Sequence, residues 1–181
     1  DDAVFTYLRR GTPLAAKSEK ARGDIHEQLQ RLWLKSHGIP TQDPKDTSYD
    51  YGILASEASR ALFGLDEAKF PDRAVIKAES KSARMTYDKH HVYWTLKFEA
   101  VKPECHDVVV LSFEALDGVH FYHWKGGNLT SQGEKAKNGF YIRYLSKCNV
   151  PDPNAAQATL LEELAKNTVL GTIAYDDPVH K

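Results

Sequence analysis

Along residues 18–37 apolar side chains fall at Ile25, Leu29, Leu32 and Trp33, an i, i+4, i+7, i+8 stripe that predicts an amphipathic helix. Gly38 closes it, and Ile39-Pro40 cannot continue it. The turn pairs Asp43-Pro44 and Asp46-Thr47 mark residues 41–48 as a loop. A second helix is expected over about 49–63, with Ile53, Leu54, Ala58, Ala61 and Leu62 inward and Gly64 at its end.

The period then changes from helix to strand. Residues 74–81 alternate, and 91–100 set Val92, Trp94, Leu96 and Phe98 against Tyr93, Thr95, Lys97 and Glu99. The continuous run Val108-Val109-Val110-Leu111 within 107–116 predicts a central strand buried on both faces. Asp117-Gly118 is a hairpin turn into 119–124, and 140–145 reads as a further strand. Pro153-Asn154-x-x-Gln157 opens a last helix over about 155–166, and the tail 171–181 is expected to be loosely held. Helices first, then strands, then a helix predict one domain over 1–181, with its core at about 20–145 and a C-terminal helix and tail at 150–181. The fold class is α/β or α+β: a mixed central sheet flanked by helices.

Composition narrows the functional classes. The 181 residues carry 24 Lys+Arg against 25 Asp+Glu, a net charge of −1 that looks hostile to nucleic acid. Local sums differ: residues 9–38 hold seven basic and three acidic side chains, 73–97 hold six and two, and 125–147 hold five and one. Phosphate contacts need local positive charge, so near-neutrality excludes a coating DNA binder more than an enzyme with a cationic cleft. No apolar run approaches a membrane span, and no charged segment followed by an apolar one reads as a signal peptide. Two cysteines, Cys105 and Cys148, cannot build a disulfide framework, so a reducing, cytoplasmic setting is expected.

Chemistry concentrates in one segment. On a strand over 74–81, Val75, Lys77, Glu79 and Lys81 share a face, while Ala74, Ile76, Ala78 and Ser80 pack beneath. Asp72 sits at the strand's entry. Two hard carboxylates suit a divalent cation, and a lysine two residues along can hold an attacking water beside a phosphate. Acidic-x-Lys also occurs at Asp43-Pro44-Lys45 and Glu67-Ala68-Lys69, so a solvated edge strand with a salt-bridged Glu is the competing reading. Glu57 falls inside the apolar arc of the second helix, where a carboxylate needs a partner, or at that arc's half-exposed edge.

Pro71-Asp72-x6-Glu79-Ser80-Lys81 resembles the signature of the PD-(D/E)XK nucleases, the metal-dependent core of type II restriction endonucleases; the short gap resembles the mismatch-repair nicking group. Gly23-x3-Glu27 is similar to the helix that opens many such cores, and the segment with Glu57 to the acidic helix before the motif. The resemblance implies a restriction-endonuclease-like core and Mg²⁺ between Asp72 and Glu79. It also implies Lys81 at the attacking water, Glu57 as a further carboxylate, and a homodimer cutting both strands of sequence-specific DNA. Asp50 or Asp46 competes with Asp72 as the metal aspartate.

Lys77, Arg84, His90, His91, Lys125 and Asn128 are the expected DNA contacts, from the active-site strand, its following turn and a Gly-rich loop. A solvent-facing histidine pair and ordinary hairpin loops are the plainer readings of the last four. His120 and His123 face opposite sides of one strand, which makes them poor co-ligands for a metal. Two other classes stay open: a non-catalytic binding or immunity module, and a nuclease toxin domain of a larger protein.

Overall fold

The computed structural model describes residues 14, 17–102, 106–125, 133–136, 139–146 and 152–176. Helix α1 (Glu19–Ser36) is followed by β1 (Thr41–Gln42), β2 (Tyr51–Leu54) and α2 (Glu57–Phe63). Strands β3 (Val75–Asp88), β4 (Tyr93–Val101), β5 (Val108–Glu114), β6 (Gly118–Trp124), β7 (Gly133–Ala136) and β8 (Gly139–Leu145) come next. Helix α3 (Pro153–Leu164) and β9 (Thr168–Ala174) complete the order. The class is α+β. Nine strands form a mixed sheet in the order β7-β8-β4-β3-β5-β6-β9, with β2 also against β3 and β1 against β2. Only the β3–β5 pairing among the described strands is parallel.

Two apolar clusters lie on opposite faces. Trp94, Leu96, Phe98, Ile142 and Tyr144 pack with Val109, Leu111 and Phe113 beneath α3 residues Ala156, Leu160 and Leu164. Leu29, Trp33 and Leu34 of α1 pack with Ile53, Ile76, Ala78, Val108 and Val110. All seven residues of β5 are buried, as the unbroken Val-Val-Val-Leu run requires of a strand covered on both sides.

Several elements depart from the sequence reading: 41–42 of the expected loop form β1, β3 runs on to Asp88, and 133–136 form β7. The expected helix over 49–63 divides: 51–54 alternate as β2 against β3, and the helix starts only at Glu57. Ser56 forces that start, because its side chain accepts the Ser59 amide while Ser59 returns the bond, a capping box that helix propensity alone does not place. The inward stripe of α1 is also rotated. Leu32 is exposed, whereas His26 and Gln30 are buried over Ser112 and Glu114. Lastly, 171–174 of the tail are not loose but belong to β9, which pairs antiparallel with β6. There Gly171 lies under Trp33 so closely that a β-carbon would meet the indole at 2.5 Å.

Candidate functional site

Strand β3 carries the motif on one face. Glu79 and Lys81 stand beside Val109 and Leu111 of β5, whereas Ala78, Ser80 and Ser82 stand on the α1 side with Val108, Val110 and Ser112. Glu79 is only 5% exposed. A buried carboxylate demands compensation, and Glu79 has it. Lys81 Nζ lies 3.2 Å from Oε1, the Lys102 amide donates to Oε2 at 3.2 Å, and His106 Nε2 is 3.5 Å from the same oxygen. His106 is itself buried, and its Nδ1 has no partner among the described residues.

The motif sits where β3 changes neighbours. Strand β2 pairs with β3 up to Ala78, and β4 joins the same sheet edge only from Met85, so among the described residues no strand pairs with 79–84 on that side. Asp50 fills the head of this notch. Its amide donates to Ala78 O at 3.0 Å, and its Oδ2 accepts the Ser80 amide at 2.7 Å. It therefore occupies the register position opposite Glu79. Glu27 approaches from α1: burial, then the charge of Asp50, pushes its carboxyl above the usual range, while Arg31 acts in the opposite sense. Arg31 is anchored to Asp43 at 2.9 Å and Thr41 at 3.0 Å. Glu27 and Asp50 thus meet at the head of the notch, and Glu79 and Lys81 stand along β3 beside it.

The other motif residues lie elsewhere. Asp72 Oδ1 accepts from Arg60 at 2.8 Å, and both line a surface cavity of about 530 Å³ with Glu57 and Glu67. Asp72 and Glu79 are not brought together. Arg73, at φ 70°, turns the chain before β3 and ties its amide to Ala55 O, and Val75 to Glu79 spans roughly 13 Å of strand. Glu57 is exposed in the first turn of α2, because Ile53 and Leu54 belong to a strand and its apolar arc never forms. Among the described residues no three His, Cys, Asp or Glu side chains converge as metal ligands.

The expected DNA contacts also scatter. Lys77 is exposed over the Tyr49 ring at 5.4 Å, and His90 and His91 occupy the β3–β4 turn, their amides bound by Asp88. The His91 side-chain bond holds the Asp88 carboxyl below the usual range. Lys125 lies near Gly64 and His123; Asn128, Cys105 and Cys148 lie outside the described residues. Arg84 lines a second cavity, of about 620 Å³, with Glu19, Arg22, Ser82, Thr95, Lys97, Glu99 and Glu114. Starting at Ser82, that cavity continues the notch. Glu27 had a signal in Gly23-x3-Glu27, but His106 had only its place in Cys105-His106, which says nothing of Glu79.

His120 and His123 do face apart: His120 bonds Asp117 and Thr172, while His123 packs edge-on against Phe63. Burial, with Lys125 assisting, pushes His123 down to about 4. Between that value and the ordinary 6.5 the unfolded chain binds the extra proton, so stability falls as pH falls through this window. The expected loss is on the order of 2–3 kcal/mol. Urea midpoints of the wild type and His123→Phe at about pH 7 and about pH 4.5 check it; equal declines in both proteins would exclude this histidine as the cause.

No protein-family model matches the chain, and no curated protein is similar to it. Among solved structures the chain is similar to a bacterial homing endonuclease, I-Ssp6803I, with a TM-score of 0.43 and 16% identity. The match covers 82% of this chain and 95% of that one.

Proposed function

We propose that the protein is a metal-dependent DNA endonuclease whose site is the notch in β3, with Asp50 rather than Asp72 as the partner carboxylate of Glu79. The observation that carries this reading is the buried Glu79, ion-paired to Lys81 and set opposite Asp50 where, among the described residues, no strand pairs with the β2–β4 edge of β3. Mg²⁺ keeps most of its waters and needs only one or two protein carboxylates, so Asp50 and Glu79 suit it without a third ligand. Asp72, tied to Arg60 in another cavity, does not fit. When bound, the ion supplies a nucleophilic water and offsets charge on the phosphate. Lys81 orients the attacking oxygen and stabilises the developing negative charge. Glu27 adds negative potential behind Asp50, which favours a cation in the notch.

Supercoiled plasmid incubated with Mg²⁺ or EDTA tests the reading. Asp50→Asn is expected to slow cleavage by about a hundredfold or more, as loss of a charge-placing group does, while Asp72→Asn stays within a few-fold of wild type. The reverse order would restore Asp72. No cleavage by the wild type in Mg²⁺ or Mn²⁺ would overturn the enzyme and favour a binding module. Discrete fragments indicate sequence-specific cutting, a smear a toxin-like nuclease; linear rather than nicked product indicates two copies acting together.

A further inference from the structure

The open face of the β3–β4–β8 sheet has no role in the notch chemistry. One side of these strands is core: Met85, Trp94, Leu96, Phe98, Ile142 and Tyr144 are buried beneath α3. The other side carries a cross-strand row of cations. Lys97 pairs in register with Arg143, and Arg84 of β3 lines the same cavity as Lys97. Three basic side chains from adjacent strands therefore border one face. Arg22 of α1 borders the same face across the cavity, and Tyr141 lies beneath both Lys97, at 4.5 Å, and Arg143, at 5.3 Å. Thr86 and Thr95 form the next cross-strand row toward the hairpin turn with Lys89, His90 and His91. Acids are present too: Lys97 holds Glu99 at 2.7 Å, and Glu114 is buried against His26.

We infer that this face docks duplex DNA in its major groove. Strands are about 4.8 Å apart, so a row over three of them spans roughly 10 Å. That width suits the B-form major groove, about 12 Å across, which admits a β-ribbon. The deep, narrow major groove of A-form RNA does not admit a sheet. Arginine and lysine match guanine edges or phosphates, and threonine methyls match thymine. The inference rests on the nuclease reading for the purpose of the groove, not for its existence.

Fluorescence polarisation of the full chain with a labelled 30-base-pair DNA duplex in EDTA tests it. Lys97→Gln with Arg143→Gln is expected to weaken binding by about tenfold or more and to reduce the slope of log affinity against log salt by about 2. Lys166→Gln, at the end of α3, is expected to leave both unchanged, and thermal melts of all variants report folding. The inference is overturned if the wild type does not bind the duplex, if the double variant keeps wild-type affinity and slope, or if duplex RNA competes equally. Plasmid cleavage separates the two claims. A cleaving wild type with an unaffected double variant sinks the docking face alone; a duplex-binding protein that never cleaves sinks the enzyme alone.

Discussion

Glu79→Gln and Lys81→Met are each expected to lower plasmid cleavage by about 10²–10⁴-fold while duplex binding in EDTA changes little. Groups that act on charge developing in the transition state, or on the attacking oxygen, are worth that much. Glu79→Gln is the cleaner change, because the amide keeps the shape and still accepts the Lys102 N–H. Lys81→Met removes the 3.2 Å partner of a nearly buried carboxylate, so it also costs stability. Reading single-turnover rates together with thermal melts separates the two effects. Lys81→Arg should rescue the melt but little of the rate, since a planar guanidinium cannot replace a compact ammonium at a water. Rates within tenfold of wild type for both Glu79→Gln and Lys81→Met would remove the motif from the chemistry.

The second large effect is on stability. His26→Ala is expected to lower the unfolding free energy by about 3–5 kcal/mol, measured by urea denaturation. His26 and Glu114 are 1% and 2% exposed and 3.1 Å apart, on α1 and β5. Removing the imidazole takes a 3.1 Å partner from a buried carboxylate and opens a cavity beneath the helix. Replacing both, as His26→Leu with Glu114→Met, should recover much of the loss, because a matched apolar pair carries no desolvation cost. A loss below about 1 kcal/mol for the single change would show that the pair is not a structural tie. Gln30 continues the same polar seam, donating to Ser112 Oγ at 2.6 Å and accepting from Tyr51 at 3.0 Å.

Most elements were legible because their physics is local. The 3.6 period of α1, the alternation of β4, the double-sided burial of β5 and the Asp117-Gly118 turn all follow from neighbours within a few residues. The division of the expected second helix was not legible. Tyr51, Gly52, Ile53 and Leu54 are strand because β3 supplies their hydrogen bonds, and a window of sequence contains no β3. The rotation of α1 has the same origin: what a helix buries depends on whether the sheet beneath offers methyls or, as here, Ser112 and Glu114.

The sequence by itself determined that Glu79 and Lys81 share a strand face, because side chains alternate whatever the strand pairs with. It also determined that basic residues gather in three segments of a nearly neutral chain. The tertiary structure decided which aspartate meets β3. Asp72 is seven residues from Glu79 and Asp50 is 29, yet Asp50 bonds the Ser80 amide while Asp72 bonds Arg60. Nearness along a strand moves side chains apart by about 3.3 Å per residue, whereas antiparallel pairing brings distant residues to the same register. The same pairing sets Lys97 and Arg143 in register from two strands whose spacing in the chain gives no sign of it.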